Sequence, residues 1–380
     1  MSIEGFCFNR IVEEDEKIWF VSMELIACLF QLNKLNGQIR CLGVLPINYM
    51  MGEQYSTIGK LGDRIIIAPY YCKGDFIEYD LQKGTFRKIP LEYNICSNYG
   101  TFTYAIKYES ALFFIGNVNG VIVEVNNKYE YIYHFQWALE VQSQVKNKLF
   151  FSGCQCIKNN LYLSMFNTNK IVQLEMPVCR FKEVVVMPFE YKILSQFYDE
   201  INIWYIPIEG NRIIKWKVEE KIFEIINLPL NLNSKRALKN LIFLNDVYVV
   251  CNDSIRKDFL IHANGEVLEY ICKSMDILKK SEMIQPCIYL ANKKSTYLLC
   301  DNIFIEIKEQ NIRKYKITID YEYFNKVINF SDVNWKLGIK YEKNRRSLYN
   351  FIELCVKEDT SILIPNQNGS IIYKHLVENS

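Results

Sequence analysis

Histidine is nearly absent from this chain: 380 residues contain three, His134, His262 and His375. Three scattered imidazoles leave Ser-His-Asp catalysis without an obvious base and metal sites short of their commonest ligand. Glycine (16) and proline (9) are sparse as well. No Gly-x-Ser-x-Gly elbow, Walker loop or dinucleotide fingerprint occurs, so neither a nucleophile elbow nor a phosphate cradle is expected. Charge of one sign is not in excess: 45 Lys plus Arg stand against 43 Asp plus Glu, a net charge of +2. The basic surplus of a nucleic-acid binder is missing. No run approaches the ~20 apolar residues of a membrane helix. Residues 1–10 lack the basic start and apolar stretch of a signal peptide. The thirteen cysteines are odd in number and scattered through strand-like segments, which suits free thiols in a reducing compartment. A cytoplasmic protein with no nucleic-acid or membrane partner, no cofactor and no metal is expected.

Apolar residues make up 50% of the chain and aromatic ones 14%, enough for a substantial core. They are arranged in a repeat. Seven quartets share one pattern: Phe30-Gln31-Leu32-Asn33, Ile77-Glu78-Tyr79-Asp80, Val123-Glu124-Val125-Asn126, Val172-Gln173-Leu174-Glu175, Ile214-Lys215-Trp216-Lys217, Phe259-Leu260-Ile261-His262 and Ile305-Glu306-Ile307-Lys308. Two columns are always apolar, and the column between them is polar in all but Leu260. Alternation of period two predicts a strand with one face buried. The third position falls at 32, 79, 125, 174, 216, 261 and 307, with successive differences of 47, 46, 49, 42, 45 and 46. Periods in the forties filled with strands predict four-stranded propeller blades. Before each quartet runs a nearly continuous apolar segment, such as Leu112-Phe113-Phe114-Ile115 or Ile203-Trp204-Tyr205-Ile206, as a strand covered on both faces requires. After it comes a turn and a more polar strand such as Thr85-Phe86-Arg87-Lys88, whose charge blunts edge pairing.

The sequence therefore predicts an all-β fold, a seven-bladed β-propeller of four-stranded antiparallel blades over residues 4–319, with a short α-helical C-terminal tail at 320–380. In the tail Ser347 is an N-cap candidate, and Leu348, Phe351, Ile352, Cys355 and Val356 fall at helical spacing. Ile362-Leu363-Ile364-Pro365 resembles a second strand, but Ile371-Ile372-Tyr373 lacks the polar middle column, which disfavours an eighth blade. The repeat resembles that of kelch-type and related seven-bladed β-propellers. It lacks the double-glycine and paired-aromatic signature of kelch repeats and the Trp-Asp ending of the WD type. That resemblance implies a protein-interaction platform more often than an enzyme.

Candidate functional residues follow from this layout. The innermost strands should present small polar groups to a central channel: Asn9, Ser56, Thr57, Thr101, Thr103, Ser152, Gln155, Ser195, Gln196, Asn240 and Gln285. Such a lining suits water or a neutral polar ligand. Aromatic residues in the entering loops, Tyr49, Tyr70, Tyr71, Tyr93, Tyr99, Trp137 and Tyr191, are expected at an exposed rim, where a large ring with a polar handle suits a protein partner or a small polar ligand. Cys154-Gln155-Cys156 places two thiols on one strand face with no companion pair for zinc. The carboxylate runs Glu13-Glu14-Asp15-Glu16 and Asp199-Glu200 read as solvated hairpin turns. Two functions are compatible with these features: a non-catalytic binding propeller, and a lyase or hydrolase of a sugar or small metabolite at the channel mouth.

Overall fold

The computed structural model describes residues 11–21, 27–47, 55–70, 74–91, 102–116, 120–145, 149–199 and 201–228, and beyond them the strands 238–243, 247–251, 258–261, 267–270, 287–291, 295–300, 303–308, 311–316 and 318–319. Among these residues the strands form seven sheets, taken in chain order as blades 1 to 7. Blade 1 contains β1 (Ile11–Glu14), β2 (Lys17–Val21), β3 (Cys28–Asn33) and β4 (Gln38–Val44). Blade 2 contains β5 (Tyr55–Leu61), β6 (Arg64–Pro69), β7 (Phe76–Asp80) and β8 (Thr85–Ile89). Blade 3 contains β9 (Phe102–Tyr108), β10 (Ala111–Gly116), β11 (Ile122–Val125) and β12 (Tyr131–His134), and α1 (Gln136–Val145) leads to the next sheet. Blade 4 contains β13 (Phe151–Ile157), β14 (Asn160–Met165), β15 (Lys170–Glu175) and β16 (Arg180–Val186). Blade 5 contains β17 (Ile193–Tyr198), β18 (Asn202–Pro207), β19 (Arg212–Lys217) and β20 (Ile222–Asn227). Blade 6 contains β21 (Leu238–Phe243), β22 (Val247–Cys251), β23 (Asp258–Ile261) and β24 (Val267–Tyr270). Blade 7 contains β25 (Cys287–Ala291), β26 (Ser295–Cys300), β27 (Ile303–Lys308) and β28 (Asn311–Lys316), followed by β29 (Thr318–Ile319). Within each blade, strands adjacent in sequence are adjacent in the sheet and antiparallel. The fold is an all-β propeller. The tail expected at 320–380 lies outside the described residues.

The first three residues of every quartet fall on the third strand of a blade, and every apolar run on the second. The second strands are deeply buried: all six residues of β10 and of β18 are buried. At roughly 1.5–3 kcal/mol per large apolar side chain, their burial is the main stabilising contribution. In three blades the polar middle column departs from the one-buried-face expectation, while Gln31, Glu124 and Gln173 stay half-buried. Glu78, Lys215 and Glu306 are only 2%, 6% and 3% exposed, because the neighbouring blade covers the second face as well. A charge in that position needs a partner. The register supplies one on the fourth strand: Glu78 lies opposite Arg87, Lys215 opposite Glu224 and Glu306 opposite Arg313. The sign is reversed in blade 5, yet the pairing persists. Glu78 accepts from Arg64 Nη1 at 2.7 Å, Arg87 Nη2 at 2.6 Å and the Tyr131 hydroxyl of blade 3 at 2.8 Å. Burial, then the adjacent Glu78 charge, raises the Tyr131 phenol far above its usual range.

The sheets meet around a ring: β1 touches β5, β5 touches β9, β9 touches β13, β13 touches β17, β18 touches β21, β21 touches β25, and β25 returns to β1. On the side of the hairpin turns, polar links join successive blades. Glu14 pairs with Lys60 of blade 2. Tyr129 of blade 3 donates to the Leu61 carbonyl at 3.3 Å, and Arg64 lies 3.8 Å from its ring centroid. Tyr108 donates to Asn159 of blade 4 at 3.0 Å, and Lys158 pairs with Glu219 of blade 5 at 2.5 Å. Ring closure has two parts. β29 joins the outer edge of β4 as a parallel fifth strand, with Thr318 opposite Gln38 and Ile319 opposite Ile39. Lys34 of blade 1 pairs with Glu13 at 2.5 Å and reaches Glu306 of blade 7 at 3.6 Å.

Burial acts to lower the Lys34 pKa, but the Glu13 hydrogen bond and the charges of Glu13, Glu306 and Glu16 outweigh it and leave it raised. A raised folded-state pKa gives stabilisation that is complete below the unfolded value and fades as pH rises through the folded one. Lys34→Met should therefore melt below the wild type at pH 7 to 9, with the two melting curves converging above about pH 10.5. A gap that stays constant to pH 12 would show that the ammonium charge contributes nothing to closure.

Candidate functional site

The innermost strands carry a feature that composition does not reveal. In blades 2 to 6 the first strand shifts register at the same place, between Tyr55 and Thr57, Phe102 and Tyr104, Phe151 and Gly153, Ile193 and Ser195, and Leu238 and Asn240. One extra residue sits at each β-bulge, near the point where the chain arrives from the preceding blade. A bulge bends the strand and re-aims its side chains. Two groups expected to face the channel turn into an adjacent blade instead. Thr57 is fully buried and donates to the Phe102 carbonyl of blade 3 at 2.6 Å. With its amide oxygen toward β13, Gln196 accepts from the backbone N–H of Cys154 at 2.8 Å and of Gln155 at 3.2 Å, and its amide nitrogen meets Ser164. Gly153 makes this fit: a Cβ there would collide with Gln196. Thr103 is buried too, whereas Ser152, Gln155 and Ser195 are half-buried. Asn9, Thr101 and Gln285 lie outside the described residues, as do the side chains of Ser56 and Asn240.

Of the rim aromatics, Tyr49, Tyr71, Tyr93 and Tyr99 lie outside the described residues. Tyr70 is half-buried just after β6. The exposure expected of Trp137 and Tyr191 is corrected. Trp137 belongs to α1, is 2% exposed and packs with Phe113, Ile115, Phe151 and Leu163, its ring centroid 5.9 Å from that of Phe151. Ala138, Val141 and Val145 share the buried side of α1. Positive-φ Gly120 lets the helix approach, since a Cβ there would strike Ala138. Tyr191 is 7% exposed and its hydroxyl donates to the Tyr205 carbonyl at 2.8 Å, with the Arg212 carbonyl at 3.0 Å. Burial raises its pKa well above the usual phenol value. Both residues are pillars between blades, because the connections carrying them fold over the apolar seams.

The remaining candidates are structural. Cys154 and Cys156 share a face of β13, partly buried against the blade 3–4 core. Burial pushes the Cys156 thiol up to about 11 and the Cys179 thiol to about 12. His134 pairs with Glu124 at 2.9 Å. Asp199 ties its own turn, accepting from Ile201 N at 2.8 Å and from Trp204 Nε1 at 2.6 Å. Of the first carboxylate run, Asp15 and Glu16 form the exposed hairpin turn as expected, whereas Glu13 and Glu14 end β1, Glu13 pairing with Lys34 of the same blade and Glu14 with Lys60 of blade 2. Among the described residues, no three His, Cys, Asp or Glu side chains converge as a metal site, and no helix is long and apolar enough to cross a membrane.

A concave site that the sequence reading missed lies in the seam between blades 4 and 5. It is a cleft of about 620 Å³. Blade 4 lines it with Tyr162, Gln173 and the Glu183–Val186 stretch of β16, and blade 5 with Trp216, Val218 and Phe223. Tyr162, Gln173 and Glu183 form one row across neighbouring strands. The aromatic floor is ordered: Trp216 stacks on Phe223 at 5.1 Å and 10°, and Tyr162 meets Trp216 edge-on at 5.1 Å and 88°. Asn160 accepts from Gln173 and from Lys182, both at 2.9 Å. The Lys158–Glu219 pair stands at the mouth. The Trp216 Nε1–H is buried with no acceptor among the described residues. Such a site can bind through apolar contact, ring edges and amides. Its only sequence sign was Trp216 in an apolar column.

No protein-family model matches this chain, and no curated protein matches it. Solved structures do. YCF48 bound to D1 peptide aligns at 12% identity and TM-score 0.52, covering 83% of this chain and 98% of that one. A chain of the Mitotic Checkpoint Complex aligns at 8% identity and TM-score 0.53, covering 83% and 90%. A streptogramin B lyase aligns at 14% identity and TM-score 0.48, covering 70% and 83%. At these identities the likeness establishes the fold alone, a β-propeller of four-stranded antiparallel blades.

Two outcomes check these assignments. Trp137→Ala should reduce the unfolding free energy by about 3–5 kcal/mol in urea titration, and a loss within error would return Trp137 to an exposed rim. In peptide-resolved alkylation with iodoacetamide at pH 8, Cys156 should react through a thiolate fraction of about one thousandth, rising roughly tenfold per pH unit. Labelling at the rate of a free peptide thiol would contradict its burial.

Proposed function

We propose that this protein is a non-catalytic binding propeller, a cytoplasmic platform that holds a protein partner. The blade 4–5 cleft carries this reading. Its lining combines aromatic, aliphatic and amide groups at the scale of a recognition pocket. The structural neighbour YCF48, solved with a peptide bound, supports the same use of the fold. The kelch-type likeness enters only as a shared blade pattern.

Site-specific photo-crosslinking tests the proposal. A photoreactive phenylalanine analogue at Val186, half-exposed beside the cleft, should yield discrete higher-mass adducts in the native cell. The same residue at Leu35, 77% exposed on blade 1, should not. Equal yields at the two positions would remove the cleft as the binding surface.

A further inference from the structure

We infer that the partner in this cleft is an extended polypeptide segment that adds to β16 as the fifth strand of blade 4. The inference rests on the binding reading above and names what that site takes. Glu183, Val184, Val185 and Val186 all line the cleft although they are consecutive. Successive strand residues point to opposite faces, so a cavity that touches four in a row runs along the strand's edge. On its inner side β16 pairs with β15, Val186 opposite Lys170 and Glu183 opposite Gln173. Among the described residues no strand pairs with its outer edge, although α1 packs against β16 on the blade 3 side through Phe181 and Val184.

The same position in blade 1 is already filled: β29 lies against β4, the counterpart of β16. The outer edge of a blade in this fold therefore accepts an added strand. The cleft selects blade 4, since it is the β16 edge that it follows. The cleft end of that edge is Val184-Val185-Val186, with Val186 53% exposed, free of the charges, such as exposed Arg87 and Lys88 on β8, that discourage pairing. A segment laid there exchanges backbone hydrogen bonds with β16 and sends every second side chain toward Val218 and Phe223. Strand addition takes affinity from the main chain and specificity from alternate side-chain pockets. The ligand is thus an extended peptide with apolar residues at alternate positions.

The test selects ten-residue peptides from a random displayed library on the full-length protein, then replaces each backbone amide of the best binder by its N-methyl form. Strand addition requires N-methylation at every second residue to weaken binding about tenfold or more, with the intervening positions nearly neutral. Val186→Glu, checked for an unchanged melting curve, should weaken binding similarly. Peptides that respond to Val186→Glu but to no N-methylation would overturn strand addition and leave the cleft as a binding site. Peptides indifferent to Val186→Glu, or no selected peptide at all, would overturn both.

Discussion

Each sheet in this ring has two faces to hide and no way to hide them alone. Its apolar columns, such as Ile77 and Tyr79 on one blade or Val123 and Val125 on the next, are buried only because a neighbouring sheet lies against them. The constraint reaches the polar column too. Once both faces are covered, Glu78, Lys215 and Glu306 lose water and must be paired within the protein. The fourth strand provides the opposite charge at the facing register position. Removing one member would strand a buried charge, which ties the outer strand of a blade to its middle.

Closure follows from the same requirement. An open stack would leave the outward faces of blades 1 and 7 wet. The Lys34–Glu306 contact and the β29–β4 pairing join those ends. The polar links on the hairpin side, from Glu14–Lys60 to Lys158–Glu219, set the spacing between sheets whose apolar contact is non-directional. Between blades 2 and 3 the rings of Phe76, Phe102, Phe114 and Tyr131 pack into the seam. Between blades 4 and 5 the aromatic cluster fills only the inner part, and the outer part opens toward β16.

How much of this was legible depends on the range over which each feature is encoded. The quartets are local: alternation of period two placed all seven third strands, and the apolar runs placed the second strands. The helix α1 was written at Trp137, Ala138, Val141 and Val145, and in the 49-residue interval between quartets that contains it. It was read as a loop because the surrounding repeat is made of strands. The bulges at Ser56 and Ser152 had no local signature, since an extra residue shows only against the strand that opposes it. Trp137 and Tyr191 were misread as exposed for a related reason. A loop position says nothing about which seam the loop covers.

By itself the sequence determined the kind of element, its period and the residues that must be dry, because a side chain's place on a strand depends on its immediate neighbours. Only the tertiary structure decided which polar residue meets which, how the ring shuts and where a cleft is left. Those depend on distances between blades, and residues as far apart as Lys34 and Glu306, or Tyr162 and Trp216, carry no mark in the chain of having met.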